Sequence, residues 1–397
     1  MTTEQIPMGR MFIDDEMRSS TLRILNSGYW IKGPESKAFG LEWAEYCGAL
    51  GGVPCSNGSV ALIAALHTLG IGPGDEVIVP SHTYIASATC ISMVGATPIF
   101  VEIEEEFYTL DIESVKEALT PRTKCIIAVH LYGQPIDSEI FTLAQDAGIF
   151  VIEDAAQAHG ASLNGKQIGS FGDIATLSFY PAHHITTGEG GMVSSNVKAI
   201  VDLARSFAWW GRGCYCVGQQ NLLSNGVCGR RFDKWLEKYH DIVDHKYVFG
   251  NMGYNLKPLD MQGAVGSVQL LKYEEIHDKR RSNKNKLHRI LERVPGVRVM
   301  SEQKNAETSW FGVPVLCGSK DLKHSLVKHF EDNKIQTRNY FAGNILLHPG
   351  YSHLDDANKY PNANQVLDLV FFLGCSPTIN DSMIDYIEKI TNKFINA

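Results

Sequence analysis

Two adjacent histidines, His183 and His184, lie in the stretch Phe179-Tyr180-Pro181-Ala182-His183-His184-Ile185-Thr186-Thr187-Gly188-Glu189-Gly190-Gly191. An imidazole titrates near neutrality, so His183 can act as a base there; the plainer reading is an exposed loop histidine. Neighbouring histidines do not by themselves make a zinc site, because ligands also need i+4-type spacing or distant partners. Upstream, Asp154 ends the apolar run Phe150-Val151-Ile152-Glu153. In an open α/β sheet the C-terminal ends of the strands are where ligands sit. A carboxylate there can pair with a protonated ring nitrogen, or simply cap a helix. Asn57-Gly58-Ser59 falls between a strand-like segment and a helix. Helix N-terminal N–H groups favour an anion and glycine lets a phosphate approach, although a turn or cap reads equally from three residues. Ser178 ends the short strand Ile174–Leu177, five residues before His183. It suits a second phosphate contact or a satisfied core hydroxyl.

The elements that must position these groups follow a βαβ rhythm. Glu76–Pro80, Thr97–Val101, Cys125–Val129 and Phe150–Glu153 read as buried parallel strands. Ser59–Leu69, Ile85–Val94, Ile112–Ala118 and Ser138–Ala147 read as the helices between them. The expected fold is α/β, with a mostly parallel central sheet. We divide the chain into a large α/β domain, 1–256, carrying a Cys-rich excursion at 209–250, and a smaller C-terminal α+β domain, 257–397. A long helix from Leu256 to about Val294 would lead into strands near Val297–Val299 and Gly312–Leu316.

Bulk properties exclude several function classes. The 397 residues, 44% hydrophobic and 20% charged, are those of an ordinary globular chain with ample core. A net charge of −8 without a long basic run disfavours a nucleic-acid binder. No apolar run reaches the ~18 residues of a membrane span. The polar, acidic start from Met1 to Arg18 is unlike a signal peptide. The expectation is a cytoplasmic protein whose nine cysteines are reduced.

Taken in order, several motifs span nearly the whole chain: Asn57-Gly58-Ser59, Pro80-Ser81-His82-Thr83-Tyr84, Glu153-Asp154-Ala155-Ala156-Gln157, Ser178 and Gly253-Tyr254-Asn255. Together with the His183 stretch they resemble the DegT/DnrJ sugar aminotransferases, which use pyridoxal phosphate. The resemblance implies a fold-type I aminotransferase architecture and a homodimer with the active site between subunits. It places Asp154 at the pyridine nitrogen, Tyr84 and Gln157 on either face of the ring, and Gly58, Ser59 and Ser178 at the phosphate. Asn255 would reach across from the other subunit. A carboxylate at the ring nitrogen keeps it protonated and electron-accepting, and an aromatic face positions a flat cofactor. In most of the family the residue two after the proline is the lysine that holds the coenzyme covalently. Here that residue is His183, and no lysine lies between Ser178 and Gly191. An imidazole cannot form the Schiff base, but it can move a proton.

Pro181-Ala182-His183-His184-Ile185 is similar to the pyridoxamine-phosphate-dependent 4-keto-6-deoxyhexose 3-dehydratases of the CDP-ascarylose and colitose type. Trp210–Cys216, Asp244-His245-Lys246-Tyr247 and Phe341-Ala342-Gly343-Asn344 resemble the ascarylose type in particular. That implies C3 deoxygenation of a nucleotide-linked 4-keto-6-deoxyhexose in deoxysugar biosynthesis, of the kind that supplies lipopolysaccharide O-antigen. In the ascarylose type four cysteines hold a [2Fe–2S] cluster, served by an iron–sulphur flavin reductase. Cys214 and Cys216 match two of those positions and Cys228 resembles a third, but Ala156 stands at the fourth. A substitute ligand, loss of the cluster, inherited reduced thiols and a zinc site with a histidine are the alternatives. Two other functions compete with the dehydratase: a sugar-nucleotide aminotransferase with another base, and a catalytically silent relative that still binds coenzyme. Arg338 and Lys246 are candidates for the nucleotide phosphates.

Overall fold

The computed structural model describes residues 5–31, 33–213 and 233–396. Its first nine strands are β1 (Gly51–Cys55), β2 (Glu76–Pro80), β3 (Thr97–Val101), β4 (Thr123–Val129), β5 (Phe150–Asp154), β6 (Ser162–Leu163), β7 (Lys166–Gln167), β8 (Ile174–Ser178) and β9 (Gly191–Ser195). Seven of them form one sheet in the order β1-β9-β8-β5-β4-β2-β3. The five from β8 to β3 run parallel, and β9 lies antiparallel to both β8 and β1. The α/β class with a mostly parallel sheet, expected from the apolar runs, is the class observed.

The apolar runs are continuous rather than alternating because helices cover both faces. Among the described residues nine helices accompany this part: α1 (Asp15–Ser27), α2 (Pro34–Cys47), α3 (Gly58–Thr68), α4 (Ile85–Met93), α5 (Ile112–Ala118), α6 (Glu139–Ala147), α7 (Lys198–Ala208), α8 (Asp260–Leu271) and α9 (Tyr273–Leu291). Along β5 successive side chains enter different cores: Val151 packs with Ile126 and Ile140 on the α6 side, and Ile152 with Ile127 and Ile91 on the α4 side. In place of the single long helix expected from Leu256, there are two, α8 and α9. The break falls at Lys272, whose backbone is not helical (φ −103°, ψ 9°). Buried Tyr273 donates its hydroxyl to the His159 carbonyl, and Lys272 pairs with Asp14 and Glu16. These anchors fix where the chain must turn.

A second, antiparallel sheet has the order β10-β12-β14-β13. Its strands are β10 (Val297–Val299), β12 (Val313–Cys317), β13 (Arg338–Asn339) and β14 (Val370–Leu373), while β11 (Ala306–Glu307) pairs with β6. Helices α10 (Lys320–Asp332) and α11 (Pro361–Leu369) pack on it, and α12 (Asp381–Ile395) packs against α9 and α10. The two sheets share one apolar core, in which Tyr132 stacks on Tyr340 with ring centroids 4.1 Å apart. Among the described residues, no helix is long and apolar enough to cross a membrane.

The end of β5 is held by Glu153, which is completely buried. Its carboxylate accepts from the backbone N–H groups of Gly169 (2.8 Å), Phe171 (2.7 Å) and Gly172 (2.7 Å). It also lies 3.1 Å from His130 Nε2, while His130 Nδ1 accepts from the Ile136 N–H. Nε2 is therefore the protonated nitrogen, and it donates to Glu153. Removing the carboxylate orphans four buried donors. We expect Glu153→Ala to lower the free energy of unfolding by about 3–5 kcal/mol in urea titration; a loss below about 1 kcal/mol would show that the lattice is dispensable.

Candidate active site

Alternation along β5 sends Asp154 to the opposite face from Glu153, toward α4. There Asp154 Oδ2 accepts from the Ser87 hydroxyl (2.8 Å) and Oδ1 from the Ala156 N–H (3.3 Å). Among the described residues no cation pairs with this carboxylate. Burial pushes its pKa above the usual carboxylate value, and the Ser87 bond pulls it partly back. Helix α3 packs on the neighbouring strands β8 and β9. The Asn57 side chain caps that helix by accepting from Val60 N (3.0 Å). The Gly58 and Ser59 N–H groups, in the first turn, have no intrahelical acceptor. Ser178, paired with Gly191 across β8 and β9, lies against this turn: a Cβ on Gly58 would sit 2.7 Å from Ser178 Cβ. Gly58, Ser59 and Ser178 thus form one small cradle of hydroxyl and N–H groups.

Gln157 is buried, with Oε1 accepting from Tyr132 N (2.9 Å). Tyr84 precedes α4 and is exposed, its ring 6.0 Å from that of Phe341. Phe341 in turn packs on Tyr132. Asp154, Gln157, Tyr84 and the cradle therefore gather around the C-terminal edge of the parallel strands.

The loop carrying His183 folds tightly on itself. His183 N donates to Tyr180 O and Thr187 N to Phe179 O, both at 2.9 Å. Gln269 of α8 clamps Thr186 on both backbone groups. Below the loop, the Arg280 guanidinium of α9 donates to the carbonyls of Trp310 (3.1 Å), Phe311 (3.2 Å) and His183 (3.3 Å). Arg280 is buried, and among the described residues no carboxylate pairs with it. His159 lies 5.9 Å from His183 and 5.3 Å from His184, ring to ring. His183 Nδ1 and both ring nitrogens of His159 and His184 are buried without a hydrogen-bond partner. Burial, reinforced by the Arg280 charge, pushes the half-buried His183 down to about 3. Burial likewise takes His159 and His184 well below the ordinary histidine value, with neighbouring His183 and Arg280 adding to it. His183 and Arg280 line a cavity of about 370 Å³ with Arg10, Arg338, Tyr180 and Gln336. Among the described residues three arginines and no carboxylate line it, so it suits an anion.

The remaining sequence candidates are less close to this centre. Asn255 is exposed, bridges to Trp209 and accepts from Lys257. Arg338 reaches the cavity, whereas Lys246 does not line it. Cys214, Cys216 and Cys228 lie outside the described residues, and Ala156 presents a methyl group beside Asp154. Sequence reasoning missed Ser87 and Arg280. Nothing local marks Ser87. Arg280 hides in the charged run Asp278-Lys279-Arg280-Arg281, but buried Tyr273, His277, Arg280, Lys284, Leu287 and Leu291 recur at helical spacing and place it on the inner face of α9.

A profile of the DegT/DnrJ/EryC1/StrS aminotransferase family matches residues 12–391. The chain is 33% identical to a dTDP-4-dehydro-2,6-dideoxy-D-glucose 3-dehydratase of Saccharopolyspora spinosa, over 91% of this chain and 80% of that one. It is 34% identical to a GDP-perosamine synthase of Escherichia coli O157:H7, over 92% of each. Among solved structures it is similar to E. coli GDP-4-keto-6-deoxy-D-mannose-3-dehydratase with bound hydrated PLP, with 27% identity, a TM-score of 0.85, and 98% and 99% of the two chains covered. The residues gathered here fit that coenzyme: Asp154 is a buried carboxylate short of a cation, and Gly58 leaves open the space above Ser178.

The buried histidines set a pH dependence. Their folded pKa values lie below the unfolded value of about 6.5, so the unfolded chain binds more protons between the two. Stability is full above about pH 6.5 and falls as pH drops below it, by up to about 1.4 kcal/mol per pH unit for each histidine. Asp154, raised instead, works in the opposite sense but is one group against three. Urea midpoints measured at pH 7 and pH 5 should therefore differ strongly, and His159→Gln should shrink the difference. Equal midpoints would contradict the burial of these rings.

Proposed function

The chain belongs to the DegT/DnrJ/EryC1/StrS aminotransferase family, and from that premise we propose that it is a pyridoxamine-phosphate-dependent C3 dehydratase of a nucleotide-linked 4-keto-6-deoxyhexose. The observation that carries the reading is His183: an imidazole occupies the coenzyme-lysine position, and it lines a cavity with three arginines and, among the described residues, no carboxylate. Relatives named as 3-dehydratases support it. When bound, the coenzyme supplies an amino group for the C4 ketone and a ring that accepts electrons.

The chain's own groups do the rest. Asp154 holds the ring nitrogen, whose positive charge supplies the partner this buried carboxylate lacks. Tyr84 and Gln157 flank the ring. Gly58, Ser59 and Ser178 hold the phosphate at the N-terminus of α3. In a homodimer Asn255 of the partner subunit completes that contact. Arg10 and Arg338, exposed at the cavity, take the diphosphate of the sugar nucleotide. With the coenzyme bound, His183 would be the group that takes a proton from its methylene carbon and delivers one to the C3 oxygen, which would leave as water. We read residues 1–256 as the coenzyme-binding unit and 257–397 as the unit that closes the substrate cavity. The form that needs no reductase is favoured, because Ala156 offers no ligand where the resemblance asks for a fourth cysteine.

One observation favours the aminotransferase reading: Asp154-Ala155-Ala156-Gln157 has the form found in that branch, and a perosamine synthase is among the relatives. Against it stands the absence of lysine between Ser178 and Gly191; Lys166 is exposed, with its amine over the Phe171 ring.

The test is product mass. Anaerobic protein, pyridoxamine phosphate and a panel of nucleotide 4-keto-6-deoxyhexoses should yield a sugar that has lost the C3 oxygen, and His183→Ala should slow this about 10²–10⁴-fold. An amine gained with the oxygen retained would return the chain to the aminotransferases. Asp154→Ala should retain coenzyme about 10–100-fold more weakly in equilibrium dialysis, as expected for a lost charge-assisted contact of about 1.5–3 kcal/mol.

A further inference from the structure

Arg280 is costly as it stands. Among the described residues this buried guanidinium meets no carboxylate; it donates to three backbone carbonyls, and its Nε finds no partner there. One of those carbonyls belongs to His183, and both residues line the same cavity. Among the described residues, the groups near His183 are cationic or neutral. His159 approaches from the turn after β5, and Tyr180 and His184 belong to its own loop. Arg280 comes from α9, and Arg10 and Arg338 line the same cavity as His183. A protonated imidazole has no counter-charge in this arrangement, and an anion in the cavity would be the nearest one.

We propose that Arg280 is a positioning residue that couples His183 to the charge in the cavity, so that His183 becomes an effective base only when an anionic substrate lies beside the guanidinium. This rests on His183 being the proton-transfer group proposed above, and it gives Arg280 a use that its structural contacts do not require. Before substrate arrives, the imidazole stays neutral and unreactive toward stray protons. Once a diphosphate is seated, its negative charge offsets Arg280 and raises the proton affinity of His183. The low pKa of His183, caused by burial first and Arg280 second, agrees with the geometry.

The test needs no turnover, so its outcome stands apart from whether the reaction is a dehydration. Protein labelled with ¹³C at histidine Cε1 would be titrated with and without inorganic pyrophosphate, the His183 resonance being assigned by its absence in His183→Ala. In the native protein the His183 midpoint should lie below pH 5 and rise by a unit or more with saturating pyrophosphate, a tenfold or greater gain in proton affinity. In Arg280→Gln the midpoint should start higher and the pyrophosphate response fall to less than half. Arg280→Lys, which keeps the charge, should retain the response, and it carries the comparison if the glutamine variant does not fold. Pyrophosphate that binds without moving the midpoint, fails to bind, or acts equally in Arg280→Gln would overturn the inference, as would loss of the response in a folded Arg280→Lys.

Discussion

Buried charge at the end of one strand organises this molecule. Glu153 and Asp154 are consecutive carboxylates that the two-residue period of β5 sends to opposite faces of the sheet. Glu153 is saturated: three backbone N–H groups and the His130 imidazole fill its lone pairs. That lattice ties β4, β5 and the 169–172 turn together, and it leaves Asp154 little freedom in where it points. Asp154 has only a serine hydroxyl and a backbone amide, and its pKa is raised accordingly. One carboxylate is structural because it is satisfied. Its neighbour is available because it is not.

The second organising feature has the opposite sign. Under the His183 loop, Arg280 and three imidazoles pack into apolar surroundings with no carboxylate among them. Such a cluster lowers stability in acid, and it would be removed if packing alone mattered. Its persistence makes sense beside a cavity whose charged lining is wholly basic, because an anionic ligand supplies the missing counter-charge. Under the function proposed above, a carboxylate short of a cation would suit a protonated ring, and a cavity lined by arginines would suit phosphate groups.

Much of this was legible in the sequence. The strands of the parallel sheet were readable because a strand buried on both faces leaves an unbroken apolar run, and β2 and β3 appear with the expected bounds. The positions of Asp154 and Ser178 at strand ends and of Gly58 at a helix start were readable because such ends have local signatures. The division of α8 from α9 was not, since the turn at Lys272 depends on Tyr273 reaching His159, a contact between distant segments. Ser87 and Arg280 escaped for the same reason. Their importance comes from what a remote strand or loop brings to them, and a charged helix face reads as solvated until its partners are known.

The account stands on His183 carrying a proton rather than the coenzyme, so the most direct measurement is covalent trapping. Protein loaded with pyridoxal phosphate would be reduced with borohydride and weighed intact, beside His183→Lys. The account predicts no coenzyme adduct on the native chain and one adduct, at position 183, on the lysine variant. A stoichiometric adduct on the native chain would mean that another lysine holds the coenzyme, and would contradict the role given to His183.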